Sequence, residues 1–193
     1  MEAIMISDRP KWCALMMNGI KKIEIRKNKA LAGAIQKLIQ KYGYAEIYVY
    51  CTKDKKETKP LLIKHCSAIS NNPLNKYETR LCNGKVLFKF RCYNVEEIKP
   101  KVKFGLLHTY NTYETETFEI NPLLNKCCLS YEELDSYLKL KVGYAIHIEC
   151  LEIFDRPKEL SEFSVRVFPN RKGNLFTRYL TKAPQNMVYV EAL

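Results

Sequence analysis

The sequence predicts an α+β fold, a small mixed β-barrel with helices inserted between its strands. Short runs of strict two-residue alternation recur along the chain, and three other stretches carry apolar residues at helical spacing. The helices do not alternate regularly with the strands, as a doubly wound sheet would require. With 193 residues, 47% of them hydrophobic, there is material for one sizeable core, and residues 1–193 read as a single domain.

Ile4-Met5-Ile6 begins the first strand. Pro10 stands where a helix tolerates proline best, and Trp12, Leu15 and Met16 follow at i, i+3 and i+4, which predicts a short helix from Pro10 to Asn18. Gly19 stops it. Lys22-Ile23-Glu24-Ile25-Arg26 then alternates as a half-buried strand must, with Glu24 and Arg26 on one face and Ile23 and Ile25 on the other. Leu31, Ile35, Leu38 and Ile39 form one stripe, predicting a helix from Ala30 to Tyr42 that Gly43 ends.

Ile47 to Cys51 is a β-prone run, followed by the charged stretch Lys53 to Lys59 and the polar segment Ser67 to Asn75, both read as loops. Lys85 to Val95 shows the clearest alternation, with Val86, Phe88, Phe90 and Cys92 on one face. Phe104 to Ile120 is rich in Thr and Tyr and poor in helix formers, so it is expected to be extended. Ser130-Tyr131-Glu132-Glu133 is a capping box ahead of Leu134, Tyr137 and Leu138, so a helix begins near Tyr131 and Gly143 is expected to end it. Tyr144 to Phe154 alternates as one strand, and Met187 to Val190 supplies the last. The stretch Pro157 to Pro184 carries basic residues and few periodic cues.

Thirty-two Lys and Arg against 21 Asp and Glu give a formal charge of +11 and a field that attracts polyanions, nucleic acid first among them. An acidic protein partner would satisfy the same physics. No apolar run reaches the length of a membrane span, and the first residues lack the basic start of a signal peptide, so a cytoplasmic protein is expected, without a membrane role. Among the eight cysteines no Cys-x-x-Cys pair occurs. They read mostly as small buried hydrophobes, and neither a metal nor another cofactor is expected.

The residues that carry chemistry cluster near the start. A glycine after a helix lets the chain turn with positive φ, and the next strand presents Lys21, Glu24 and Arg26 along one wall. A carboxylate flanked by cations can accept from base amino groups, while Lys and Arg meet phosphate or carbonyl oxygens. Trp12, the one tryptophan, and Tyr50 are candidate stacking faces. The competing structural readings are a helix anchor for Trp12 and a surface ion pair of little value for Glu24 and Arg26.

Arg9-Pro10-Lys11-Trp12, followed by Asn18-Gly19-Ile20-Lys21-Lys22-Ile23-Glu24-Ile25-Arg26, resembles the signature of ASCH domains, in which a helix ends at Asn-Gly and runs into a Gly-x-Lys-x-x-Glu-x-Arg strand. The stretches Tyr144-Ala145-Ile146, Phe154 to Pro157 and Ala183 to Glu191 look like the end of phage or prophage versions of that domain. The resemblance implies a PUA-like barrel that binds RNA, single-stranded DNA or a modified nucleoside, with residues 28–44 and 99–129 as insertions. ASCH proteins also include amidohydrolases that deacylate modified cytidine, and ribonucleases. In the amidohydrolase pattern a threonine nucleophile stands where this chain has Glu24, and a carboxylate cannot replace a hydroxyl in acyl transfer, which argues against that activity.

A metal-independent hydrolase on RNA or a modified nucleoside is the alternative, with Glu24 as general base and Lys21 holding developing negative charge. His65, His108 and His147 are further acid–base candidates, read first as structural. A third possibility is a phage-type protein that binds an acidic host partner. Oligomeric state is open at this level.

Overall fold

The computed structural model describes residues 1–53, 83–104, 109–115, 120–165 and 178–193. The charged stretch beyond Lys53, the polar segment Ser67 to Asn75, His65, His108, Cys66, Cys82 and the middle of the basic stretch, residues 166–177, lie outside the described residues.

The first strand, β1 (Glu2–Asp8), leads through helix α1 (Pro10–Met17), strand β2 (Ile23–Arg26) and helix α2 (Lys29–Tyr42) into β3 (Ala45–Cys51), which returns parallel to β1. Parallel pairing needs such a long crossover. Pro10 opens α1, as its spacing predicts, and Asn18 with Gly19 at φ +68 closes it. The Asn28 side chain accepts from the backbone N–H groups of Ala30 and Leu31 at the start of α2, and Gly43 ends that helix at φ +81. Leu31, Ile35 and Leu38 are buried, so the apolar stripe packs where the sequence placed it.

Strand β4 (Val86–Cys92) runs antiparallel to β3, and two residues later β5 (Val95–Phe104) begins in another sheet. The expected single strand from Lys85 to Val95 therefore ends at Cys92. After β6 (Thr109–Glu114) comes a helix that the sequence reading missed, α3 (Ile120–Cys127), with Pro122 in its first turn. Helix α4 (Tyr131–Leu138) begins with the expected capping box, Ser130 and Glu133 each accepting from the other's backbone.

Gly143 does not end α4. Lys139 does, at φ 51. Gly143 instead opens β7 (Gly143–His147), where a Cβ would lie 2.8 Å from a Leu138 methyl, so its role is close approach of strand to helix. Strand β8 (Glu149–Lys158) follows after one residue, Ile148, in the other sheet, with Cys150 near its start at φ 45. A 3-10 turn (Leu160–Glu162), β9 (Ser164–Val165), β10 (Arg178–Tyr179) and β11 (Met187–Glu191) complete the described chain.

Two sheets result, ordered β11-β1-β3-β4-β8 and β2-β7-β5-β6, with a β9-β10 ladder beside them. This corrects part of the sequence expectation. The class is α+β, but among the described residues no ladder closes into a barrel. Closure requires the edge strands of one sheet to pair with those of the next, and here the chain crosses between sheets at Tyr93-Asn94 and at Ile148 without the ladders joining. Residues 28–44 hold α2, which packs into the main core, and residues 99–129 span the end of β5, β6 and α3. Among the described residues no helix is long and apolar enough to cross a membrane.

Both faces of the first sheet are covered. Ile4, Ile6, Ile47, Val49, Phe88 and Phe90 pack against α1, α2 and the inner face of the second sheet, and each such fully buried side chain contributes ~1.5–3 kcal/mol. Met5, Tyr48, Tyr50, Val86 and Phe154 pack on the other face against Phe163 and Leu180. A separate core forms where Ile23, Ile25, Ile98 and Ala145 of the second sheet meet Leu123, Cys127, Leu134 and Leu138. Cys13, Cys51, Cys92 and Cys127 are buried, and burial raises the Cys92 thiol to about 12.

Because Leu138 is fully buried in that second core, replacing it with alanine is expected to lower the unfolding free energy by about 2–5 kcal/mol. Urea denaturation followed by circular dichroism measures this, and an unchanged midpoint would contradict the packing described.

Candidate functional site

The register of β2 sets the site. Glu24 stands opposite Ile146 and Arg26 opposite Tyr144, and both of those β7 residues belong to the core between the sheets. Two-residue periodicity therefore sends Glu24 and Arg26 inward, while Ile23 and Ile25 face α3 and α4. The inward side chains meet the end of β1, where Asp8 sits under the start of α1. A cavity of about 1000 Å³ opens above them, walled by Trp12 of α1, by Glu133 and Tyr137 of α4, and by the loop Ala183 to Gln185. Ser7 Oγ donates to the Pro184 carbonyl at 2.7 Å and fastens that loop.

The floor of the cavity is a charge network. Arg26 Nη2 donates to the Ser7 carbonyl at 2.9 Å and lies 3.2 Å from Asp8 Oδ2. Its Nε lies 2.7 Å from Glu24 Oε1, an electrostatic contact in which this N–H forms no aligned hydrogen bond. Glu24 Oε2 is 3.3 Å from Lys21 Nζ, which donates to the Cys127 carbonyl at 2.8 Å. Lys21 is 3% exposed, Glu24 6% and Asp8 7%. Glu24 and Arg26 are thus buried and networked, so the reading of them as a weak surface pair does not hold.

Two carboxyls share one guanidinium, and this sets the chemistry of Asp8. Burial, and then the negative charge of Glu24, push the Asp8 carboxyl up to about 7, although Arg26 and the Arg9 backbone N–H pull the other way. Near neutral pH Asp8 can therefore donate or accept. Lys21 donates to the end of α3 and pairs as an ion with Glu24, so its first role is to join α3 to the start of β2.

Trp12 is half-buried. It touches the main core and also lines the cavity, with Lys11 Nζ 4.4 Å and Lys21 Nζ 4.8 Å from its ring. Lys21, Glu24, Arg26 and Trp12 are thus brought together. Tyr50 is not, because it points with Tyr48 into the opposite core and is 7% exposed. His147 also lies elsewhere, its Nε2 2.7 Å from Glu96 Oε1.

The sequence reading missed Asp8 and Tyr137. Asp8 precedes a proline-started helix and reads as a turn residue, and Tyr137 shares a helical stripe with Leu134 and Leu138. Among the described residues no group of three His, Cys, Asp or Glu side chains is placed to hold a metal.

The folded chain holds the Asp8 proton more tightly than the unfolded chain, whose carboxyl titrates near 3.8. Its contribution to stability is therefore complete below about pH 4 and lost as pH rises through about 7. Between pH 5 and 8.5, wild-type unfolding free energy is expected to decline by on the order of a few kcal/mol relative to Asp8→Asn. Parallel denaturation curves at both ends of that range measure it, and a constant difference between the two proteins would refute it.

No family model matches the sequence, and no curated protein does. Solved structures do. The structure of ASCH from Zymomonas mobilis covers 98% of this chain and 87% of its own at 14% identity and a TM-score of 0.50. A single-residue mutant of the same protein gives 14% identity, 98% and 88% coverage and a TM-score of 0.49. The N-terminal domain of Staphylothermus marinus McrB gives 9%, 83% and 77%, and 0.41. The chain therefore has the fold of an ASCH domain.

Proposed function

We propose that the chain binds RNA, single-stranded DNA or a modified nucleoside by taking a base into the cavity above the Asp8–Arg26–Glu24–Lys21 network. The observation that carries this reading is the buried network itself, set beneath an opening flanked by Trp12 and Tyr137. A base edge carries amino donors and carbonyl or ring-nitrogen acceptors within a few ångströms of one another. Glu24 accepts from an amino group, Arg26 donates to a carbonyl, and Asp8 supplies whichever partner the base lacks. Aromatic rings stack on the flat faces.

Charge argues for a base rather than a phosphate on the floor. Asp8, Glu24, Glu132 and Glu133 line the cavity against Arg9, Lys21 and Arg26, so the overall +11 of the chain is not concentrated there. A phosphate would be held outside, in the positive field of the surface. The volume, about 1000 Å³, is at the upper end of small-molecule sites and accommodates a nucleoside.

One observation favours a second reading, a metal-independent hydrolase on RNA or a modified nucleoside. Asp8, buried beside Glu24, titrates at about 7 and is suited to proton transfer at neutral pH. In that reading Asp8 and Glu24 exchange protons with substrate and water while Arg26 and Lys21 steady negative charge. A product detected by mass spectrometry, with a rate that changes near pH 7 and is lost in Asp8→Asn, supports it.

Trp12 is the one tryptophan and lines the cavity, so its fluorescence reports occupancy directly. Nucleosides are expected to quench it saturably. Tyr137→Ala should weaken binding about 5- to 100-fold, the range for loss of a stacked base, and Tyr50→Phe should leave it unchanged. Absence of quenching by any nucleoside or short oligonucleotide would overturn the reading.

A further inference from the structure

The cavity has a smaller neighbour. A groove of about 330 Å³ opens on the far side of Lys21, between the end of α1 and the start of β8, lined among others by Asn18, Gly19, Lys22, Glu149 and Cys150. Lys21 lines both cavities. Asn18 Nδ2 donates to the Ala14 carbonyl at 2.8 Å, but its Oδ1 is buried with no partner. Gly19 is exposed, and nothing lies within 4 Å of where its side chain would be, so backbone and ligand can approach closely there.

On the other side of this second cavity lies an aromatic cluster. Cys150 Sγ is 3.9 Å from the Tyr93 hydroxyl, the Tyr93 ring is 5.9 Å from that of Tyr44, and the Arg91 guanidinium sits 4.5 Å over the Tyr44 ring. Tyr93 is 40% exposed and Arg91 is exposed. A guanidinium already stacked on tyrosine presents a flat, cationic surface at little further entropy cost.

The two ends of this series are far apart. Tyr44 touches Met1, before the first residue of β1, whereas Asp8 is its last, and the seven residues of β1 span ~20 Å at strand rise. A free nucleoside cannot reach from one to the other.

We infer that the ligand is a single-stranded nucleic acid chain, which places one base in the large cavity, passes Lys22 and Asn18 in the second, and stacks a further base on Tyr93 and Arg91. This rests on the base-binding reading of the large cavity. It also gives the phosphates cations outside the large cavity, whose own cations are matched by four acids. Lys22 and Arg91 flank the path, and Glu149 is the one acid in the second lining.

The test uses the full chain, Trp12 fluorescence, a nucleoside mixture and mixed-sequence RNA and DNA oligomers of roughly eight nucleotides, within the site sizes of single-strand-binding folds. The oligomer is expected to bind at least ten-fold tighter than its nucleosides, with an affinity that falls as salt rises. Tyr93→Ala and the pair Asn18→Ala with Lys22→Ala should each weaken the oligomer about 5- to 100-fold and leave nucleoside binding unchanged. RNA and DNA arms show which sugar the path prefers. If the oligomer binds no tighter than nucleosides, if those variants bind it as wild type does, or if a duplex binds equally well, the inference is wrong while the base-binding reading survives. If neither nucleosides nor oligomers quench Trp12, both fall.

Discussion

One guanidinium holds the site together. Arg26 leaves β2 in the second sheet, reaches the Ser7 carbonyl and Asp8 at the end of β1 in the first, and pairs with Glu24 beside it. Glu24 extends the connection to Lys21, and Lys21 to the end of α3. Both sheets and a helix are thus linked through four largely buried charged side chains. Removing one partner of such a network leaves another charge buried and unpaired, at a cost of about 3–5 kcal/mol, far above that of a surface pair.

Burial also makes the network chemically responsive. Two carboxyls sharing one cation cannot both ionise freely in a low dielectric, and Asp8 is the one that keeps its proton into the neutral range. A floor that can shift between donor and acceptor suits a ligand edge on which the two alternate. Tyr137 and Trp12 come from helices that pack on different sheets, so the cavity width follows from how the sheets are set against each other.

In the proposed reading the arrangement separates two tasks. The floor is close to charge-balanced and geometrically exacting, which suits reading a base. Lys22 and Arg91, with the tyrosines beside Arg91, lie along the outside of the protein, where a cation can meet a phosphate without losing its hydration. The large positive charge of the chain is therefore a poor guide to the floor of the cavity.

Local pattern by itself determined much of this protein. Pro10 and Gly19 bracket α1, Asn28 and Gly43 bound α2, the Ser130–Glu133 box starts α4, and alternation at Ile23 to Arg26 put Glu24 and Arg26 on one face, because caps and periodicities act within a few residues. Only the tertiary structure decided that the apparently continuous strand breaks at Ile148, that among the described residues the sheets do not close into a barrel, that Tyr50 turns into the opposite core and that Tyr137 turns toward the cavity. Asp8 became part of the site because β1 and β2, eighteen residues apart at the Asp8–Arg26 contact, are brought together where the Asp8 carboxyl is buried. Strand pairing and burial are long-range properties, and a carboxyl's environment depends on what the rest of the chain places around it.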